Sequence, residues 1–249
     1  MRAAGWRIEA VEQSPSTNAD VAERVRAGEP PGLVVVAEHQ TAGRGRLDRT
    51  WTTPPRAALT FSLLVDPAPV PPGRWPWLPL LTGLAVTTAV RRSAGVDAVL
   101  KWPNDVLVDG RKVAGILVEL VDRPGQGPVA VVGTGLNVST TRSELPVETA
   151  TSLSIEGAEP VDRSALLADV LAAFTALFDP WRAAAGRGLL PAYRQACSTL
   201  GRAVRVELPD GEPLEGRAVD VDEEGRLLVD DGRRVHVLGA GDVVHVRPG

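Results

Sequence analysis

The chain is organised around one stretch of nine residues, Gly43-Arg44-Gly45-Arg46-Leu47-Asp48-Arg49-Thr50-Trp51. It contains three arginines and two glycines, and Pro54-Pro55 follows soon after. Glycines at alternate positions oppose a regular helix or strand and let the backbone approach a ligand, while guanidinium groups suit phosphate and carboxylate oxygens. The stretch predicts a loop that closes over anions, and an exposed basic turn is the alternative.

The composition is that of a soluble globular protein, with 249 residues, 44% of them hydrophobic and 23% charged. No uninterrupted apolar run approaches the roughly 18 to 20 residues of a membrane helix, and the N-terminus lacks the apolar core of a signal peptide. We therefore predict a cytoplasmic protein that does not bind membranes. One cysteine, Cys197, and three scattered histidines make a disulfide framework or a protein-built zinc site unexpected, so any metal should arrive with the substrate.

The net charge of −4 is unevenly distributed. Residues 198–249 hold seven arginines against eleven acids, which leaves twenty residues of each sign in the first 197. An acidic tail without a basic stripe argues against sequence-specific nucleic-acid binding. About thirteen residues precede the first motif, which is too few for a helix-turn-helix, so no contact with nucleic acid is expected.

The first part of the chain alternates strand and helix patterns. Residues 6–12 and the β-branched run 33–37 predict strands, with a helix between them that ends near Arg26. Ser16, Thr17 and Asn18 begin that helix, and helix capping is the alternative role for the first two. The second strand delivers Gln40 to the arginine stretch. Further patterns predict a strand at 58–65 and a core-facing helix at 77–92.

The next segments place polar residues at strand ends. A short strand at 96–100 leads into Lys101-Trp102-Pro103-Asn104-Asp105, and Asp109-Gly110 predicts a tight turn between strands at 106–108 and 111–121. Lys112 follows that turn. We expect Ala114-Gly115 to interrupt the second strand where a ligand or another backbone approaches. A buried strand from Val129 leads into Gly133-Thr134-Gly135-Leu136-Asn137-Val138.

The last part of the chain changes character. Asp162 can cap a helix at 163–178, and a shorter helix covers 190–196. Five short alternating strands then follow, split by turns at Asp210-Gly211, Glu224-Gly225 and Asp231-Gly232. We predict a first domain of residues 1–197 and a small β-barrel of residues 198–249. The predicted strands cover residues 203–208, 214–221, 226–229, 233–237 and 243–246.

The first 197 residues offer cations and amides rather than a nucleophilic triad, a thiol beside a histidine or a Walker lysine loop. The cations are Arg44, Arg46, Arg49, Lys101 and Lys112, and the amides are Gln40, Asn104 and Asn137. An enzyme that joins a carboxylate to the α-phosphate of ATP needs this inventory, because two anions must meet and the nucleophile is already ionised. Catalysis then consists of positioning and charge neutralisation.

In order, spacing and number, these motifs closely resemble those of the biotin protein ligases: Ser16-Thr17-Asn18, Gln40, the arginine stretch, Lys101–Asp105, Gly110–Glu119 and Gly133–Val138. The resemblance is strong over residues 14–140 and weaker beyond. It implies an α+β fold, with a mixed sheet flanked by helices as in class II aminoacyl-tRNA synthetases, followed by a Src-homology-like barrel. It also implies that biotin and ATP form biotinyl-5'-adenylate, whose biotin then passes to a lysine of a carboxylase's biotin carboxyl carrier domain.

The resemblance implies roles for the matching residues. Biotin contacts are expected from Ser16, Thr17, Asn18, Gln40, Gly43, Arg44, Gly45, Arg46, Lys112 and Gly115. Nucleotide contacts are expected from Arg44, Arg46, Arg49, Trp51, Lys101, Asn104 and Asn137, with Trp51 as a stacking face near adenine. Lys112, Arg46 and Arg44 are the expected catalytic cations, and Asp105 is expected to orient Lys101 or the acceptor amine, with a turn role as its alternative. Mg²⁺ is expected on the triphosphate.

One position departs from the family pattern. Asp48 stands where the family usually has glycine, which places a carboxylate among phosphate-binding arginines and predicts weaker ATP binding. The alternatives in function are a lipoate or octanoate ligase, which shares the scaffold and the lysine, and a non-catalytic biotin-responsive regulator. For the oligomeric state we expect a monomer or a weak homodimer.

Overall fold

The computed structural model describes residues 2–3, 5–47, 49–123, 125–208 and 212–246. Eight strands form the larger sheet, in the order β1-β2-β3-β4-β8-β7-β6-β5. Only β2 and β3 run parallel among these neighbours, so the sheet is mixed, as predicted. The strands are β1 (Arg2–Ala3), β2 (Trp6–Val11), β3 (Leu33–Ala37), β4 (Ala58–Val65), β5 (Ala98–Lys101), β6 (Asp105–Val108), β7 (Arg111–Arg123) and β8 (Gly127–Asn137).

Helices cover both faces of this sheet. Helix α1 (Thr17–Arg26) links β2 to β3 and buries Val21 and Val25 on one face. Helices α2 (Trp77–Ala94) and α3 (Arg163–Ala183) pack together over the other face, where the main core lies. Asp162 caps α3 as predicted, because its Oδ1 accepts from the backbone of Ser164 at 2.7 Å and Ala165 at 3.3 Å. The short helix α4 is Leu190–Ala196.

Helix α3 is long and apolar enough to cross a membrane by length and composition, with a mean hydropathy of 1.3. Its large apolar side chains, however, pack into the core beside α2. Phe174 and Phe178 stack on each other at 5.3 Å, and Phe174 also meets Trp6 edge-on. The helix is therefore a core helix of this fold.

On the face of the sheet that carries α1, the residues change along the strands from apolar to small and polar. Alternate residues of a strand share one face. Beneath α1 that face holds Leu64, Val131 and Val121, which form a second apolar cluster with the helix. Two residues further along β4 and β8 it holds Ser62 and Gly133, and then Thr60 and Gly135, with Gly115 of β7 paired beside Gly135. A floor of small and polar residues cannot fill the space above it, so a cavity forms beside the helix.

The smaller sheet is antiparallel and confirms the predicted five-stranded C-terminal unit. Its order is β12-β11-β10-β9-β13. The expected turn at Asp210-Gly211 lies outside the described residues, and the proposed domain boundary near residue 197 stays a prediction. The strands are β9 (Ala203–Glu207), β10 (Leu214–Val221), β11 (Leu227–Asp230), β12 (Val235–Leu238) and β13 (Asp242–His245).

Two local predictions need correction. Strand β7 is not interrupted at Gly115; it runs without a break from Arg111 to Arg123, and the irregular pairing lies one strand over, between Val106 and Leu107. Ser16 occupies the capping position of α1, but its side chain makes no capping hydrogen bond. By contrast, the turn at Asp109-Gly110 is confirmed, with φ of 48° and 73°. Positive φ at both central residues is typical of the tight hairpin turn.

Candidate active site

A cavity of about 1180 Å³ opens beside the α1 face of the larger sheet. All but one of the predicted site residues line it. Gly43 is the exception, and it lines a neighbouring cavity of about 710 Å³. Residues 44–47 line both cavities, so the arginine stretch lies between them. The predicted residues in the larger cavity are Ser16, Thr17, Asn18, Gln40, Arg44, Gly45, Arg46, Arg49, Trp51, Lys101, Asn104, Asp105, Lys112, Gly115 and Asn137.

Strand register explains why residues distant in sequence meet here. One row of paired residues crosses five neighbouring strands, from Lys101 on β5 through Asp105, Gly115 and Gly135 to Thr60 on β4. The adjoining row contains Leu117, Gly133 and Ser62. The first row carries charge at one end and small or hydroxyl groups at the other. A ligand lying along it would therefore meet both environments.

The neutral end is a closed network of hydroxyls and amides. Gln40 Oε1 accepts from the backbone N of Thr17 at 2.8 Å and from its Oγ1 at 3.1 Å. Ser62 Oγ lies 2.6 Å from Asn18 Oδ1 and 2.7 Å from Thr17 Oγ1. Asn18 Nδ2 donates to Glu119 Oε2 at 2.7 Å. Ser62 is fully buried, and the other network residues except Glu119 are less than 10% exposed, which fixes their donors and acceptors in place.

The glycines of the floor make room for these side chains. A Cβ on Gly133 would lie 2.2 Å from Asn18 Oδ1, and a Cβ on Gly135 would lie 2.3 Å from the Trp51 ring. A Cβ on Gly115 would lie 3.0 Å from Lys112 Nζ. Each of the three glycines thus accepts one predicted site residue against bare backbone. The close approach that we predicted at Gly115 is made by side chains of this chain.

The arginine stretch forms a small hairpin, with an isolated bridge between Arg44 and Thr50. Its three arginines reach different walls. Arg44 Nη2 contacts Glu119 Oε2 at 3.0 Å, Arg46 Nη1 donates to Asn104 Oδ1 at 3.1 Å, and Arg49 pairs with a carboxylate of the smaller sheet, Asp242. Burial lowers the pKa of Arg46 from its usual value, and Arg49 adds to this, whereas Asp242 and Asp105 oppose it. Arginine keeps its charge at neutral pH despite such a shift.

The two lysines of the chain meet one carboxylate. Lys112 Nζ lies 2.6 Å from Asp105 Oδ1, and Lys101 Nζ lies 3.9 Å from Asp105 Oδ2. Lys112 Nζ is also 5.8 Å from the centre of the Trp51 ring. The Trp51 Nε1 is buried and has no hydrogen-bond partner among the described residues. Trp51 therefore forms part of the cavity floor beside Lys112, with its indole nitrogen packed against Gly135.

Sequence reasoning missed several residues of the site. Ser62 completes the neutral network, Glu119 links that network to Arg44, and Asp242 and His245 bring the smaller sheet into the cavity. A hydroxyl within the apolar run of β4 was a signal for Ser62, and Glu119 closes a motif already singled out. Asp242 and His245 carry no local signal. Asp48 lies outside the described residues, so its effect on ATP binding stays a prediction.

Comparisons with known proteins agree with this architecture. Residues 10–137 match the Biotin/lipoate A/B protein ligase family, and residues 199–246 match the Biotin protein ligase C terminal domain. The Biotin--[acetyl-CoA-carboxylase] ligase of Mycobacterium tuberculosis is 43% identical over 98% of this chain and 91% of that protein. The Bifunctional ligase/repressor BirA of Escherichia coli is 32% identical over 92% of this chain and 70% of that protein.

A solved structure shows the same fold. The biotin protein ligase from Aquifex aeolicus, in complex with biotin and ATP, superposes with a TM-score of 0.82 at 29% identity, over 97% of this chain and 99% of that chain. Both sheets are thus included in the likeness. Together with the matches along the sequence, this confirms the α+β biotin ligase fold, and the chain belongs to the biotin protein ligase family.

Proposed function

We propose that this chain activates biotin with ATP and transfers it to a lysine of a biotin carboxyl carrier domain. One observation carries the proposal. Lys112, the buried neutral network around Gln40 and the hairpin of three arginines all line one cavity. The family relation and the name of the mycobacterial relative support the same reaction. The neutral network suits the ureido ring of biotin, which both donates and accepts hydrogen bonds.

In the first step a biotin carboxylate oxygen bonds to the α-phosphorus of ATP, and the bond from that phosphorus to the pyrophosphate oxygen breaks. Two anions must approach, so nearby cations lower the barrier. Lys112 is assigned the position between them, because its ammonium lies next to the floor glycines. Arg44, Arg46 and Arg49 are assigned the phosphates. Their present partners are carboxylate and amide oxygens, which supports a role in binding phosphate oxygens.

The remaining assignments follow the walls of the cavity. Ser16, Thr17, Asn18 and Gln40 hold the biotin ring, with Gly43, Gly45 and Gly115 providing backbone and space. Lys101, Asn104 and Asn137 contact the nucleotide. Asn137 Nδ2 already donates to the carbonyl of Thr151 at 2.9 Å, which leaves its Oδ1 available. Trp51 was expected to stack near adenine; its place on the floor beside Lys112 also allows contact near the reacting groups.

The metal in this reaction is Mg²⁺ bound to ATP. The described residues contain no group of three or more histidines, cysteines or acids that could hold a metal. Asp105, Asp242 and Glu119, the acids that face the cations, are engaged by Lys112, Arg49 and Arg44. This donor set fits a cation held mainly by phosphate oxygens and water. When bound, Mg²⁺ neutralises charge on the leaving pyrophosphate.

In the second step the acceptor amine bonds to the acyl carbon, AMP leaves with the former carboxylate oxygen, and the amine loses a proton. Asp105 is the group that we assign to the acceptor amine, because it already holds two ammonium groups within 4 Å. The acceptor is the carrier domain of an acyl-CoA carboxylase. We further propose a cytoplasmic location, a monomer or weak homodimer, and no nucleic-acid or membrane partner.

The deciding experiment is biotin-dependent exchange between ATP and pyrophosphate, with lipoate and octanoate in parallel. We expect exchange with biotin alone, because the neutral network offers no long apolar groove. Transfer of labelled biotin to a carrier domain tests the second step. Exchange with lipoate or octanoate instead would support the related ligase, and biotin binding without exchange would support a regulator.

Lys112→Ala should reduce the exchange rate by about a hundredfold or more, because the ammonium between the two anions is lost. Its matched control is Arg123→Ala. Arg123 is a cation near the far end of the same strand, paired with Asp66 away from the cavity. Equal rates in the Lys112→Ala variant and the parent would remove Lys112 from the mechanism.

A further inference from the structure

The segment that carries Asn104 and Asp105 is bonded to the C-terminal part of the chain. Trp102, which is 1% exposed, donates its backbone N–H to Thr199 Oγ1 at 3.1 Å. Its indole Nε1 donates to the carbonyl of Gly225 at 3.0 Å. One residue earlier along this connection, Ser198 N donates to the carbonyl of Leu100 at 2.8 Å. The backbone and the side chain of Trp102 are thus both fixed by residues beyond 197.

The Thr199 hydroxyl makes two contacts at once. It is fully buried, and besides accepting from Trp102 it lies 3.1 Å from His245 Nε2. A hydroxyl has one proton and two lone pairs, so Thr199 can accept from the backbone and donate to the imidazole. With the ring proton on Nδ1, His245 Nε2 accepts that hydroxyl proton. The three groups form one chain of hydrogen bonds from β13 to the segment after β5.

The surroundings of His245 favour this neutral form. His245 lines the larger cavity, of about 1180 Å³, which we call the reaction cavity. Burial, together with the positive charges of Lys101 and Arg202, lowers its pKa to about 4. The imidazole is therefore uncharged at neutral pH and can accept the Thr199 proton. A protonated ring would lose this acceptor and place a third positive charge beside Lys101 and Arg202.

We propose that Thr199 and His245 are positioning residues for the ligase reaction, which act through the Trp102 backbone on Asn104 and Asp105. The inference rests on the proposed function. Asn104 accepts from Arg46, and Asp105 pairs with Lys112, so a shift of this segment moves both partners of the reacting cations. The smaller sheet thereby contributes to the chemistry without supplying a reacting group.

Thr199→Val tests the proposal, because it keeps the shape and removes the hydroxyl. We expect kcat for ATP–pyrophosphate exchange to fall about ten- to hundredfold, as displacements of about 1 Å do in other sites. The KM for biotin should stay near that of the parent, since the network around Gln40 is not altered. Thr199→Ser should restore most of kcat. Thr82→Val is the matched control, because Thr82 is equally buried and its hydroxyl donates within α2, to the Leu78 carbonyl.

Substitutions of His245 test the other half of the pair. His245→Gln keeps an acceptor for the Thr199 proton and should retain kcat, His245→Leu should lower it, and His245→Lys should lower it most. His236→Gln is the control, because His236 lies in the same sheet and contacts Asp231 outside the cavity. Far-ultraviolet circular dichroism checks that each variant is folded.

The outcomes separate the two proposals. A folded Thr199→Val or His245→Leu variant with the kcat of the parent overturns the positioning role and leaves the ligase assignment intact. A fall in kcat that is the same in Thr199→Ser as in Thr199→Val also overturns it. If Thr199→Val does not fold, the comparison of His245→Leu with His245→Gln decides. A parent protein without biotin-dependent exchange refutes the proposed function itself.

Discussion

The two ends of the reaction cavity are built in different ways. At the neutral end, Thr17, Asn18 and Gln40 are each less than 10% exposed and bonded to one another or to the sheet. At the charged end, the side chains of Arg44 and Arg49 are 51% and 63% exposed and paired with carboxylates. The neutral groups already have a fixed geometry. In the proposed function, the arginines exchange these carboxylate partners for phosphate when ATP binds.

This difference assigns different tasks to the two ends. A buried network loses little freedom on binding, so it can discriminate between ligands by unmade hydrogen bonds. Exposed ion pairs are worth about 0–1 kcal/mol, so the arginines can release their carboxylates at small cost. We therefore expect substitutions at the neutral end to change biotin affinity strongly. Substitutions of the carboxylates at the charged end should change ATP affinity weakly.

Gly133→Ala should disturb the hydrogen-bond network of the neutral end most severely. Its Cβ would lie 2.2 Å from Asn18 Oδ1, and Asn18 is held on its other side by Glu119, so the amide cannot move without losing a bond. We expect the KM for biotin in pyrophosphate exchange to rise about a hundredfold, because displacing the buried amide leaves hydrogen-bonding groups unpaired at about 1–3 kcal/mol each. The KM for ATP should change far less.

Gly73→Ala is the matched control for this substitution. Gly73 has open space around its Cβ position and no positive φ, so it tests alanine replacement alone. A Gly133→Ala enzyme with the biotin KM of the parent would show that the neutral end rearranges to accommodate the added methyl group. The contrast between the two ends would then fail.

Ser62→Ala should have a smaller effect at the same end. Ser62 donates to Asn18 Oδ1, and its loss leaves a buried acceptor unpaired at a cost of about 1–3 kcal/mol. The expected result is an approximately tenfold weaker affinity for biotin, measured by isothermal titration calorimetry. Ser62→Thr retains the hydroxyl, so its affinity for biotin should lie between those of the parent and of Ser62→Ala. Unchanged affinity in Ser62→Ala would mean that a water molecule replaces the hydroxyl.

Most of the charged end could be predicted from the sequence, because its residues cluster in short motifs. The cations Arg44, Arg46, Lys101 and Lys112 were all predicted as site residues, and all line the larger cavity. Cations, glycines and turn signals are local features of a chain. The tight turn before Lys112 is an example, since Asp109-Gly110 alone specifies its backbone.

The connections between motifs could not be predicted in the same way. Ser62 meets Gly133 only because β4 and β8 pair in one particular register, and Asp242 meets Arg49 across 193 positions of sequence. Register and long-range packing are decided by the whole sheet, not by a motif. The uninterrupted course of β7 through Gly115 has the same origin, since pairing with β8 outweighs the low strand preference of glycine.

Asp242→Asn tests how far the carboxylates at the charged end limit ATP affinity. Asp242 pairs with Arg49 on a partly exposed surface, so its removal should free the guanidinium at little cost to folding. We expect the KM for ATP to fall by no more than about fivefold at low salt and by less at high salt, because no carboxylate then competes with phosphate and salt screens the freed guanidinium. The check is steady-state exchange at low and high salt. Glu215→Gln, in the same sheet and paired with Arg205, is the control.

The smallest expected effect concerns His245, because the cations near it oppose the protonation of its ring. His245 has a pKa of about 4 in the folded protein and 6.5 as its usual value, owing to burial and to Lys101 and Arg202. Above pH 6.5 the ring is neutral whether the chain is folded or unfolded. As the pH falls from 6.5 to 4, only the unfolded chain takes up the proton, so the free energy of unfolding decreases; below 4 the decrease is complete. His245→Gln should abolish this part of the acid destabilisation, about 1 kcal/mol after allowance for partial exposure of the ring. Urea unfolding at pH 7 and pH 4 measures it, and an equal loss in the parent and in His245→Gln would show that the imidazole is protonated as easily in the fold as in water.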